Sequence, residues 1–144
     1  MARSFPLAGL LRLRQVQQDQ AAIDLAAANA RVAEGTARQR RARSSLGATS
    51  SEATSAAVLY AVAASRAASR GMLAELQALD CDHRSSLDAA TEAFSAARAR
   101  SIGLEKLEVR FDDEVANGVL MAEQAVLDEV SATSWHRARE ADAG

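Results

Sequence analysis

The 144-residue chain has one cysteine, one proline, one tryptophan, one tyrosine, three phenylalanines and two histidines. Each scarcity excludes something. A lone thiol, Cys81, cannot form an internal disulfide, so no disulfide framework holds the fold and the chain suits a reducing compartment. Aromatic side chains bury the largest areas, and with so few of them a thick globular core would be poorly filled. A single proline, Pro6, leaves the rest of the chain free of the strongest helix breaker. No run alternates apolar and polar residues as a half-buried strand does. No apolar run approaches the ~20 residues that span a bilayer. The apolar stretch at 5–11 is short, is followed at once by Arg12 and Arg14, and lacks a small-residue cleavage site, so it is not expected to act as a secretion signal.

What is abundant points one way. The chain has 35 alanines, the best helix formers, and Leu, Arg, Gln and Glu follow closely. The expected class is all-α, with long helices in shallow mutual contact. Net charge is −2, unevenly spread. Residues 1–50 carry eight Arg against three acids, whereas residues 101–144 carry four cations against ten acids. A basic arm and an acidic end favour charge-guided pairing, internal or with partners.

Ser4 or Phe5 can open a first helix, with Pro6 tolerated in its first turn. Leu11, Ala22, Leu25, Asn29 and Val32 follow one face, and Leu13, Val16, Ile23, Ala27 and Ala30 a neighbouring one. SSLGATSSEATS, residues 44–55, is rich in Ser and Thr and holds Gly47, which marks a turn; Ser51 or Thr54 is placed to cap the next helix. Beyond it Met72, Leu76, Leu79, His83, Leu87, Ala90, Phe94, Ala97, Ser101, Leu104, Glu108, Phe111 and Val115 advance in steps of three and four. Such a repeat makes the seam of a coiled coil. The expectation is an antiparallel coiled-coil hairpin over a single domain, 1–144. Helix 1 covers about 5–46, the turn about 47–53, helix 2 about 54–138, and 139–144 is a frayed tail. With the turn near residue 50, facing residues sum to about 100, so Phe5 is expected near Phe94 and the second helix is left unpartnered beyond about 97. Leu104, Leu107, Phe111, Val115, Val119 and Val126 nevertheless keep an apolar face there, and exposed apolar stripes mark interfaces.

Candidate chemistry is thin. Cys81 and His83 stand two apart on a helix, on different faces, and no second ligand pair exists, so neither a metal site nor a cysteine nucleophile is expected. Asp112, Asp113 and Glu114 lack the shaped pocket that paired catalytic carboxylates need and read as a solvated face. RQRRAR, residues 38–43, has cations for phosphates but no interleaved aromatic and no recognition module, so nucleic-acid binding is not expected. No cofactor and no enzymatic activity are expected either.

FPLAGLLRLR, residues 5–14, resembles the opening of the flagellar export protein FliJ family, through Phe5, Leu7, Leu10, Leu11, Leu13 and Arg14. LEKLEVR at 104–110 and AVLDEV at 125–130 are similar to that family's second signature, through Leu104, Glu105, Leu107, Arg110, Leu127, Asp128 and Glu129. QVQQDQ stands where the family commonly has glutamates, and Phe111 where a polar or basic residue is usual. The resemblance implies a non-enzymatic stalk of the type III export apparatus, needed for flagellum biogenesis and motility. Such a stalk docks in the hexameric export ATPase, couples it to the membrane export gate and handles export chaperones. It lies in the cytoplasm at the inner face of the cell membrane without inserting, and is monomeric when free. Phe5, Leu10, Leu11, Arg14, Leu104, Leu107, Arg110, Phe111, Val115, Leu127, Asp128 and Glu129 are the expected partner contacts. A self-associating structural coiled coil, or the equivalent stalk of a virulence secretion system, is the alternative.

Overall fold

A computed structural model describes residues 4–49, 52 and 54–142. Among the described residues there are two helices and no strand. Helix α1 is Ala8–Ala48, 41 residues, and α2 is Ala56–Asp142, 87 residues. The all-α class, the antiparallel hairpin and the longer second helix are as the sequence predicts. The chain divides into two compact units, Gln15–Ala99 and Met1–Arg14 with Arg100–Gly144.

The helix ends have local causes. Pro6 and Leu7 form a turn ahead of α1, and Ala8 N donates to Phe5 O at 3.2 Å. At the far end Thr49 folds back, its hydroxyl donating to Ser45 O at 3.1 Å and its amide to Leu46 O at 3.4 Å. Ser55, rather than Thr54, caps α2: its hydroxyl accepts from Val58 N at 3.3 Å. Ser51 lies outside the described residues. α2 then runs through Gly71, Gly103 and Gly118, and stays helical to Asp142. A glycine costs only about 1 kcal/mol against alanine in a helix, too little to break one this long.

In the unit Gln15–Ala99 the shielded positions on α1 are Gln18, Ala21, Leu25, Ala28, Val32, Gly35, Gln39, Ala42, Leu46 and Thr49, with Thr36 and Ala37 beside them. On α2 they are Val62, Arg66, Ser69, Leu73, Leu76, Asp80, His83, Leu87, Ala90, Phe94 and Ala97. Both rows alternate strictly between steps of three and four, the a and d positions of a heptad. Two expectations are corrected here. On α1, Ala21 and Ala28 face the partner rather than Ala22 and Asn29, and Val16 and Ile23 point outward, 59% and 62% exposed. On α2, Met72 and Leu79 are 57% and 47% exposed, and Leu73 and Asp80 take their places. A row through Leu79, His83 and Leu87 takes two successive steps of four, which carries the stripe away from the partner helix. Keeping the alternation admits Asp80 to the seam. Its Oδ2 accepts from Arg84 Nε at 2.7 Å, and this bond and the nearby charge hold the Arg84 guanidinium above its ordinary pKa.

The pairing register also departs from expectation. In this unit Gln39 Nε2 donates to Leu76 O at 3.2 Å, Gly35 lies against His83, and Arg66 donates to Thr49 O at 3.4 Å. Facing residues therefore sum to about 116 rather than 100. The reason is the connection: the seven residues between Ala48 and Ala56 can span up to roughly 23 Å. That is long enough for the first turns of α2 to run past the end of α1 before pairing begins.

In the unit of Met1–Arg14 and Arg100–Gly144 the row continues through Leu11 and Arg14 on one side and Ser101, Leu104, Glu108, Phe111 and Val115 on the other. Leu11 is 5% exposed and Ser101 fully buried, its hydroxyl 3.2 Å from Glu105 Oε1. Phe5 meets Phe111, ring centroids 5.7 Å apart and tilted by 55°. The second helix is thus partnered as far as Phe111, well beyond the expected limit near 97.

Candidate docking surface

The expected contact residues fall into two sets in this second unit. Phe5, Leu11, Arg14, Leu104, Phe111 and Val115 are shielded or half-shielded and belong to the intramolecular seam. Leu10, Leu107, Arg110, Leu127, Asp128 and Glu129 are open, with Leu10 39%, Leu107 45% and Leu127 65% exposed. The first set closes the hairpin, and the second is free to meet something else.

Past Val115 every described residue is exposed. The heptad row would continue through Gly118, Ala122, Ala125, Glu129 and Ala132, which are small or charged. Large apolar residues instead occupy Val119, Leu120, Val126, Leu127 and Val130, between 53% and 65% exposed. At about 100° per residue their mean direction lies roughly 90° round the helix from the seam. The apolar face is therefore not one continuous stripe from Leu104 to Val126. It turns where the internal partner ends. Ile102 and Val109 already start the turned stripe, lining a shallow groove with Glu105, Lys106 and Arg110. Val109, Leu120 and Val130 were not among the expected contacts. Their signal lay in the sequence as a stripe off the heptad row, visible only once the row's phase is fixed.

Charge sharpens this surface. From Asp112 to Val130 there are six acids, Asp112, Asp113, Glu114, Glu123, Asp128 and Glu129, and no Lys or Arg. Farther on, the Arg139 guanidinium lies 4.7 Å over the Trp135 ring, an arrangement that shields one face of an otherwise exposed indole. Among the described residues no group of three His, Cys, Asp or Glu could hold a metal ion, and Cys81 is exposed. Among the described residues no helix is long and apolar enough to cross a membrane.

These features define a two-helix antiparallel coiled coil whose second helix carries an exposed apolar stripe within an acidic stretch. The family described as Flagellar FliJ protein has a model that matches residues 3–140, and the chain belongs to that family. It is accordingly a component of the flagellar protein export apparatus, a structural family not known for enzymatic activity. No curated protein and no solved structure matches the chain.

Proposed function

We propose that this chain is the stalk of the flagellar type III export apparatus. It docks in the export ATPase hexamer through the acidic apolar face of α2, links the ATPase to the membrane export gate and receives export chaperones. It works in the cytoplasm, peripherally at the inner face of the cell membrane, and supports flagellum assembly and motility. The observation that carries the reading is the unpartnered stripe from Val119 to Val130, more than half exposed on a helix that continues past its internal partner. A helix with no contact to make would not hold five large aliphatic residues against water, each worth about 1.5–3 kcal/mol on burial.

The test is ATP turnover by the export ATPase of the same organism, with and without this chain. The native chain is expected to raise turnover. Leu107→Asp with Val126→Asp is expected to remove the effect while circular dichroism stays unchanged, since both side chains are open. Absence of stimulation and of co-sedimentation with the ATPase would refute the reading. Phe111 is unsuitable for this purpose, because replacing it also breaks the ring contact with Phe5.

A further inference from the structure

The unit Gln15–Ala99 carries a surface that neither its own packing nor the stalk reading uses. Arg31, Glu34 and Arg38 of α1 and Leu76, Leu79 and His83 of α2 line a groove along one side of the coiled coil. Arg41 and Met72 extend it toward the loop. Met72 and Leu79 stand on its wall one heptad apart, 57% and 47% exposed. Arg31 and Arg38 face them, also one heptad apart. Arg38 pairs with Glu34, while Arg31 and Arg41 have no acidic partner among the described residues. The groove is thus apolar on one wall and cationic on the other.

We propose that this groove receives the acidic C-terminal stretch of α2 from a second copy of the chain. Three observations converge on that occupant. Val119 and Val126, like Leu120 and Leu127, are spaced by one heptad, the spacing of Met72 and Leu79, so their side chains interdigitate when the helices lie alongside. Asp112 and Glu123 lie on that side of the helix, in a stretch with no Lys or Arg from Asp112 to Val130, and complement Arg31, Arg38 and Arg41. Finally, Met72 and Val119 lie on one unbroken helix, which cannot fold back onto itself, so the stretch that fills the groove comes from another copy. The contact uses the same face as docking into the ATPase, so the two compete. The free chain then leaves the monomeric state as its concentration rises, and association withholds the docking face. The self-association stands independently of the stalk reading, whereas its competition with docking rests on that reading.

The test is sedimentation of the full-length chain over a range of concentrations, at low and high salt, with no other protein present. Mass is expected to rise with concentration and to fall back at high salt. R38E with R41E, and separately D112R with E123R, are each expected to raise the concentration of half-association roughly tenfold or more. All four positions are exposed, so the helices survive, as circular dichroism would verify. Mixing the two variants pairs an acidic groove with a basic stretch and is expected to restore association. A monomer at every concentration overturns the proposal. So does association that neither reversal weakens, which would mean pairing of like segments elsewhere on α2.

Discussion

Phe5 and Phe111 illustrate how much one pair can decide. They are half-shielded, tilted against each other at 5.7 Å, and they tie the start of the chain to residues 100–115. Phe5→Ala removes the pair and the area beneath it. It is expected to lower the unfolding free energy by about 1–3 kcal/mol, read from urea denaturation followed by helix signal. Ala28 is 4% exposed at the interface of its unit, where a larger side chain has nowhere to go. Ala28→Leu is expected to cost about 1–3 kcal/mol in the same assay. An unchanged midpoint would show that the helices can separate locally without loss. Gly118 is the reverse case, since an added Cβ would meet nothing within 4 Å. Gly118→Ala is expected to stabilise its helix by about 1 kcal/mol, seen as slower amide exchange around residue 118. At this scale the sequence was partly legible. The shielding of Leu87, Phe94, Leu104, Phe111 and Val115 followed from their spacing, but Asp80 and the outward turn of Met72 and Leu79 did not. Residue type argued against a half-buried carboxylate in the seam, and the demand for an unbroken repeat overrode it.

The two helices and the break between them could be read directly. Alanine-rich stretches on either side of SSLGATSSEATS leave little else for the chain to do. The register could not be read, because heptads on a hairpin match equally well after a slide, and only the length of the connection limits the choice. The structure puts Gly35 beside His83, whose Nδ1 lies 3.4 Å from where a Cβ on Gly35 would sit. That placement is checkable by cross-linking in a Cys81→Ser background. Gly35→Cys with His83→Cys is expected to form an intramolecular disulfide under mild oxidation, and Leu25→Cys with Leu76→Cys, neighbours in the register of 100, is not. The opposite pattern would return the hairpin to the register first read from the turn. Surface ion pairs contribute little to this choice. Arg84 with Asp80 and Arg38 with Glu34 each join residues four apart on one helix and say nothing about how the two helices pair.

For the molecule as a whole, composition and charge distribution bounded the function before any contact was known. A basic first third and an acidic last third favour charge-guided contacts, and the family assignment says which apparatus the chain serves. What composition could not show is that the acidic end carries its apolar face on a different side of the helix from the seam. The row of small residues in Gln15–Ala99 has a mechanical consequence. Ala21, Ala28, Gly35 and Ala42 offer low knobs to the facing helix, and Gln39 donates to Leu76 O across it. Such an interface resists being pried apart along its whole length but offers few obstacles to shear. Under axial load it should slip by whole heptads, about 10 Å at a time, each stop meeting side chains of similar height. Single-molecule pulling on the ends of residues 15–48 and 56–99 would show that staircase, or, if the seam holds as a block, one abrupt rupture instead.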